Sequence, residues 1–251
     1  MIRLLEVTGI SKRFSGVQAV SNVSFNMPEG EILGLIGPNG AGKTTLFNLI
    51  GGVTRPDAGR IELLGEDITG MPPYQVADRG LARTHQIVKP LNDMTVLKNV
   101  IVGGCFGRDK LPLKQAETRA LEVLETIGLA DRAEVLGRHL TIAGKKRLEL
   151  ARALAGNPRL LLLDEVLAGL NPTEISGMLD VIRKVRQQRG IGILIIEHLM
   201  QAVMSLSDRI IVLNFGEMLA EGTPEAIAKH PQVVQAYLGD PDMAAKLMAG
   251  R

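Results

Sequence analysis

The chain has no Trp, two Tyr and five Phe, so aromatics are only 3% of its 251 residues while 45% are hydrophobic. A core and partner surfaces built from aliphatic residues are expected. Cys105 is the sole cysteine, which excludes an internal disulfide and fits a reducing compartment. Neither charge sign dominates: Lys plus Arg number 29, Asp plus Glu 27, and the net charge is +2. No polyanion-binding tail is indicated, and nucleic acid is not expected as a partner. No run approaches about 18 consecutive apolar residues, so no segment is expected to span a bilayer. The opening Met1-Ile2-Arg3-Leu4-Leu5-Glu6 is broken by charge too soon for a signal peptide, and the chain is expected to be soluble by itself. There is no internal repeat, no low-complexity segment and no Asn-Lys-x-Asp guanine-reading motif, which argues against a switch GTPase.

What the chain does contain is Gly37-Pro38-Asn39-Gly40-Ala41-Gly42-Lys43-Thr44-Thr45, a match to the phosphate-binding pattern G-x-x-x-x-G-K-[ST]. Its context fits: Glu31 to Ile36 reads as a buried strand, and Thr44 to Ile50 as a helix with Leu46, Leu49 and Ile50 inward. Glycines at 37, 40 and 42 tolerate φ > 0 and carry no side chain, so backbone N–H groups can curl around phosphate oxygens at a helix N-terminus. Lys43 then reaches the β- and γ-phosphates, Thr44 offers a hydroxyl to Mg²⁺, and Thr45 lies near the α-phosphate.

The length suits one α/β domain with a smaller appendage. Leu4 to Gly9 and Val20 to Met27 read as strands on either side of Ser15-Gly16, with Phe14 in the loop as a packing residue or a ligand contact. Arg55 to Gly59 is a turn, Arg60 to Leu64 a short strand and Pro73 to Asp78 a short helix. From about 95 to 155 the apolar spacing is helical, as in Ala120, Val123, Leu124 and Ile127, stopped by Gly128. Residues 87–155 are read as a helical insert, 1–86 and 156–222 as the nucleotide-binding core, and 223–251 as a C-terminal helical extension.

Leu160-Leu161-Leu162-Leu163 is an apolar strand that delivers Asp164 and Glu165 at its C-terminal end, the edge where open parallel sheets bind ligands. Asn171 is placed as N-cap, Pro172 as N1 and Glu174 as N3 of a helix whose buried face is Ile175, Met178, Leu179, Ile182 and Val185. Ile191 to Ile196 is another apolar strand, ending in Glu197-His198. Two strands follow, Arg209 to Asn214 and Glu217 to Glu221, joined through Phe215-Gly216; Thr223 caps a last helical region expected to reach Arg251.

Over nearly its whole length the chain resembles the ATP-binding subunits of ABC transporters. Gly37 to Thr45 resembles the Walker A loop, Gln86 the Q-loop glutamine, and Leu140-Thr141-Ile142-Ala143-Gly144 the signature loop. Leu160 to Asp164 resembles Walker B, Glu165 the catalytic glutamate, Ala168 to Asn171 the D-loop and His198 the switch histidine. The resemblance implies an α/β fold with a RecA-like phosphate-loop core, an antiparallel β subdomain and an inserted helical subdomain. It implies ATP and Mg²⁺ as cofactors, with Thr44, Gln86 and Asp164 at the metal, Glu165 acting on water, and Phe14 stacked on adenine. Asn171 either serves as N-cap alone or also communicates across a dimer. The signature departs from the family's usual Leu-Ser-Gly-Gly-Gln: Thr141 replaces Ser, Ile142 and Ala143 the two Gly, and Gly144 the Gln.

A narrower resemblance is to ATP-binding subunits of importers for branched-chain and other hydrophobic amino acids. It rests on Gly80 to Gln86, Met94 to Val100, Asp164 to Pro172 and the ending Val234 to Gly239. Expected partners are membrane-spanning subunits, a second ATP-binding subunit that is a copy or a paralogue, and indirectly a substrate-binding protein. The expected place is the cytoplasmic face of the inner membrane, bound through the membrane subunits. Similar cassettes serve importers of urea, amides or organic acids, lipopolysaccharide exporters and, less closely, non-transport ATPases of DNA repair or translation.

Overall fold

The computed structural model describes residues 3–84 and 88–238. Its contacts divide the chain into Met1–Val76 with Gly192–Arg251, and Ala77–Ile191. The first unit opens with β1 (Arg3–Phe14), β2 (Val17–Pro28), β3 (Ile32–Ile36), α1 (Lys43–Ile50), β4 (Ala58–Leu63), β5 (Glu66–Asp67) and α2 (Pro73–Asp78). The second holds β6 (Leu81–Arg83), α3 (Val96–Phe106), α4 (Leu113–Ile127), α5 (Ile142–Ala155), β7 (Leu160–Asp164) and α6 (Pro172–Arg189). The chain then returns to the first through β8 (Gly192–Ile196), α7 (Met200–Leu206), β9 (Arg209–Asn214), β10 (Glu217–Gly222), α8 (Pro224–Ala228) and α9 (Pro231–Leu238).

In the first unit, an antiparallel sheet runs in the order β2-β1-β4-β5. Register shifts between Val7, Ile10, Lys12 and Arg13 interrupt the alternation of β1. Such bulges hide a strand's far end from a period-2 reading. Hence β1 runs on to Phe14, which pairs with Val17 across Ser15 and Gly16 and is a strand residue, not a loop residue.

The other sheet of this unit is built on β3, which pairs in parallel with β8 on one side and β9 on the other. Every residue of β3 and of β8 is buried, as expected of strands covered on both faces. Gly34 is required here: a Cβ would stand 2.7 Å from Ser207 Oγ and from Val203 Cγ1, so glycine lets the α7 side of the layer lie against β3. Arg209 fastens the start of β9, donating to Glu31 at 2.8 Å and also to Glu221 and the Asn26 carbonyl. The Glu31 hydrogen bond outweighs burial and, with Glu221, holds this guanidinium pKa above its ordinary value.

In the second unit β6 and β7 pair in parallel, and Leu160 to Leu163 are fully buried. The α3 helix meets α5 and α4 through small residues: a Cβ on Gly103 would lie 2.2 Å from the Arg152 carbonyl, and one on Gly104 3.1 Å from Ala116 Cβ. Ala120, Val123, Leu124 and Ile127 are all buried on α4, and Gly128 ends it at φ 74°. On α6, Asn171 and Glu174 form the expected capping box, which contributes about 1 kcal/mol. Its fully buried face is Met178, Val181, Ile182 and Val185; Ile175 and Leu179, expected there, are only half-buried. The 3.6-residue turn places Val181 on the seam instead.

Candidate nucleotide site

The phosphate loop leaves the end of β3 and enters α1, which begins at Lys43, one residue earlier than expected. Gly42 is the N-cap at φ 98° and offers no side-chain cap, so the helix N-terminus is shaped by backbone alone. Two glycines are fixed by what lies behind them. A Cβ on Gly37 would be 2.2 Å from the Leu213 carbonyl, and one on Gly42 2.4 Å from the Ala19 carbonyl. The Gly216 N–H donates to the Ala41 carbonyl at 3.1 Å, so the β9–β10 turn supports the loop directly. Gly40 takes φ 80° with open space around it.

Lys43 is buried, and its Nζ donates to the carbonyls of Gly37 at 2.7 Å and Pro38 at 2.9 Å. These bonds curl the loop into a ring closed by its own cation, concentrating positive charge where a phosphate would sit. Thr44 is exposed and Thr45 half-buried, while Pro38 is half-buried and Asn39 and Gly40 are exposed. Parallel register sets Ile196 of β8 beside Leu35 of β3, so His198, two residues past Ile196, emerges at the same edge as the loop. His198 is exposed and Glu197 before it is buried. Phe14 is 45% exposed, and the Lys12 ammonium stands 5.4 Å from its ring centroid. One face is thus engaged by a cation that also pairs with Asp57 at 2.7 Å.

The remaining candidates belong to the second unit. Asp164, at the end of β7, is buried and accepts from Arg83 Nη2 at 2.7 Å. The neighbouring β6 positions Arg83, and the Thr84 Oγ1 accepts from the Asp164 N–H at 3.2 Å. Glu165 is half-buried and holds φ 49°, a conformation costly for a non-glycine residue and common at functional sites. The buried Lys146 donates to its carbonyl at 2.8 Å, tying the turn to α5. That positive φ redirects the chain directly after the strand, which breaks the alternation otherwise sending Asp164 and Glu165 to opposite sides. Neither Arg83 nor Lys146 is marked as a site residue by any sequence pattern: only strand pairing brings Arg83 to the Asp164 carboxylate, and only helix packing brings Lys146 to the Glu165 backbone carbonyl.

At the signature segment Thr141 is the N-cap of α5, its Oγ1 accepting from the Gly144 N–H at 3.2 Å. Its hydroxyl hydrogen is still a donor. Ile142 is 60% exposed and Ala143 half-buried, so the bulky residue is directed away from the core. Gln86 and His85 lie outside the described residues. Each unit offers an oxygen of the kind Mg²⁺ prefers, the exposed Thr44 hydroxyl in the first and the buried Asp164 carboxylate in the second. No helix among the described residues is long and apolar enough to cross a membrane.

Comparison with known proteins finds two family patterns and several relatives. The ABC transporter family pattern matches residues 20–168, more than half of the chain, and a branched-chain amino acid ATP-binding cassette transporter pattern matches residues 217–242. The high-affinity branched-chain amino acid transport ATP-binding protein LivG of Salmonella typhimurium is 43% identical, covering 94% of this chain and 98% of its own. BraF of Pseudomonas aeruginosa, named for the same transport, is 40% identical with the same coverage. The lipopolysaccharide export system ATP-binding protein LptB of Haemophilus influenzae is 35% identical over a similar share. Among solved structures, the ADP conformation of an ATP-binding cassette of an ABC transporter superposes with a TM-score of 0.86 at 31% identity, covering 96% of this chain and all of that one. The chain therefore belongs to the ABC transporter family, as one of its ATP-binding subunits.

Proposed function

We propose that this chain hydrolyses ATP to energise a membrane importer of branched-chain or other hydrophobic amino acids. The observation that carries the importer reading is the match of residues 217–242 to the branched-chain cassette pattern, which lies outside the motifs common to every such ATPase. LivG and BraF, both named for branched-chain amino acid transport, support the same reading.

The chain's own residues divide the work. The Gly37–Thr45 loop binds the phosphates, with Lys43 turning from its own loop carbonyls toward the β- and γ-oxygens. Thr44 and Asp164, with Gln86, hold Mg²⁺, which neutralises phosphate charge when bound. Glu165 positions or deprotonates the attacking water, His198 contacts the γ-phosphate, and Phe14 offers its ring to adenine. The chain carries one complete set of motifs, so it acts as half of a pair. Each ATP lies between the Walker A loop of one subunit and Thr141 to Gly144 of the other. Bound ATP supplies contacts that only the closed pair satisfies, and hydrolysis removes them. Residues 86–100 meet the membrane subunits at the cytoplasmic face, and a substrate-binding protein selects the cargo.

Two substitutions test this reading in the complex assembled with its membrane subunits. Lys43→Ala is expected to abolish most nucleotide binding, whereas Glu165→Gln retains ATP and accumulates the closed pair. Hydrolysis by Glu165→Gln at the parent rate would remove Glu165 from the mechanism. The similarity to LptB makes lipopolysaccharide export the second reading, which predicts co-purification with an exporter's membrane subunits and no amino-acid-dependent stimulation.

A further inference from the structure

Asn99 is a fully buried polar residue in the first turns of α3, between the buried Val96 and Val100. Its Oδ1 accepts from the Leu91 N–H at 2.8 Å. Its Nδ2 faces three carbonyls, Thr95 at 2.9 Å, Leu91 at 3.0 Å and Met94 at 3.3 Å. Every one of these bonds goes to the loop that leads into its own helix. Both ends of residues 91–95 are held by one side chain.

The same loop is stitched to a distant stretch. Val96 N–H donates to the Val135 carbonyl at 2.8 Å, Leu97 N–H to Ala133 at 2.9 Å, Gly137 N–H to Met94 at 2.9 Å and Arg138 N–H to Asn92 at 3.3 Å. Thr95 and Leu136 form an antiparallel bridge, and Arg138 Nη1 meets Asp93 at 2.6 Å. Gly137 is pressed against the loop: a Cβ there would lie 3.2 Å from the Leu91 carbonyl and 3.5 Å from Asn99 Nδ2. Beyond Gly137 only three residues separate this seam from Thr141, the cap of α5. Arg152 on α5 closes the circuit by donating to the Lys89 carbonyl at 2.8 Å.

We propose that Asn99 is a positioning residue that locks residues 89–97 and 133–140 into one strap, so that force applied to the exposed loop Lys89–Met94 is delivered to Thr141 and Ile142. Backbone bonds between two short segments fray singly, but a buried amide that closes one segment on itself makes them exchange and move together. The consequence is that a membrane subunit docked on the loop sets where the signature residues stand. This half of the inference rests on the proposed contact of residues 86–100 with the membrane subunits.

The test compares Asn99→Leu, similar in volume but without hydrogen bonds, with Asn99→Asp, which sets carboxylate oxygens against carbonyls. In the isolated subunit, amide exchange is expected to rise about tenfold or more in 91–97 and in 133–141 together, with β7 and α6 unchanged. ATP affinity of the isolated subunit stays at the parent value. In the assembled complex the ratio of substrate-stimulated to basal ATPase falls for both variants. A rise confined to 91–97 would overturn the strap, and joint loosening with an unchanged stimulation ratio would overturn the transmission. Gly137→Ala, which keeps Asn99 but pushes on Leu91, gives the same coupled pattern at smaller amplitude should Asn99→Leu fold poorly. Cysteines at Lys89 or Asn92 that never crosslink to a membrane subunit would sink the docking and the transmission, while amide exchange still decides the strap.

Discussion

The phosphate-loop motif and the signature-like segment each lead into a helix N-terminus, yet they are held in different ways. Gly37 and Gly42 are wedged against the carbonyls of Leu213 and Ala19, and Lys43 is bonded to the loop's own backbone. At the signature, one hydroxyl caps α5 and Ile142 stands largely in solvent. Where backbone is fixed against backbone, at Gly37 and Gly42, no added atom is admitted. A loop fixed by a side-chain cap tolerates any residue that spares the cap. The chain follows the family pattern in the first region and departs from it at four positions in the second.

The largest effect should come from attacking the wedged loop. Gly37→Ala forces a Cβ into the Leu213 carbonyl, a clash worth at least about 3 kcal/mol, or a melting-temperature loss of about 6–12 °C. Gly40→Ala meets nothing within 4 Å and bears only the strain of its φ of 80°. It should lower stability by about 1 kcal/mol, seen as a loss of about 2–4 °C in the same thermal scan. Equal losses at 37 and 40 would mean that positive φ, not the support behind the loop, dictates glycine.

Next comes the buried pair Arg83–Asp164, with side chains 14% and 6% exposed. Removing one partner of such a pair leaves a carboxylate uncompensated and costs about 3–5 kcal/mol. Arg83 keeps some solvent contact, so Arg83→Met should fall at the lower end of that cost and melt about 6–12 °C lower without nucleotide. If Asp164 serves Mg²⁺, that cation restores the missing charge, and Mg²⁺ with ATP should narrow the deficit. A deficit equal in both conditions would assign Arg83 to the fold alone.

The signature departures set the third scale. Thr141 keeps a hydroxyl with an added methyl, and Ala143 keeps its N–H but carries a Cβ where glycine would allow closer approach. A well-aimed donor in a dry site is worth roughly 2.7–4 kcal/mol, and one shifted by a methyl should forfeit about 1 kcal/mol, a factor of about five. Rebuilding with Thr141→Ser, Ile142→Gly, Ala143→Gly and Gly144→Gln should raise turnover of the assembled complex accordingly. Gln at position 144 also completes a capping box with residue 141, provided Leu140 yields, since a Cβ there sits 3.2 Å from its Cβ. Unchanged turnover, with chemistry rate-limiting, would show that the departures do not tune hydrolysis.

Elements specified by local rules were legible in the sequence: the phosphate loop, the leucine strand β7, the Asn171–Glu174 cap and the Gly128 stop. Elements specified by tertiary pairing were not. The three residues of β6 carry no pattern, and they count as a strand only because Leu81 to Arg83 align with Leu160 to Leu162. Helix α7 is seven residues long and lacks a side-chain cap, so nothing local announces it. Arg83 and Lys146 each lie far along the chain from the acidic residue they serve. A readable signal did exist for Asn99: an amide on the apolar stripe of Val96 and Val100 demands buried partners. Its partners, however, needed coordinates.

The smallest effect concerns how charge fastens the helical region. Asp109, between α3 and α4, accepts from Arg119 of α4 at 2.8 Å and from Asn157, just past α5, at 2.9 Å, with Arg108 alongside at 3.5 Å. Burial alone would raise its pKa, but the hydrogen bonds from Arg119 and Asn157, with the charges of Arg119 and Arg108, hold it below the ordinary carboxylate value. A carboxylate depressed on folding adds stability above its unfolded pKa of about 3.9, and that contribution is lost as pH falls through the folded value. Asp109→Asn keeps the shape and an acceptor but discards the charge. It should cost about 1 kcal/mol or less at pH 7, shrink in high salt, and converge with the parent in acid denaturation once both carry a neutral side chain. The helical region would then rest on backbone seams and buried amides, with its ion pairs as minor fasteners. A neutral-pH loss as large as that of Arg83→Met would reverse that ranking and make Asp109 a structural anchor in its own right.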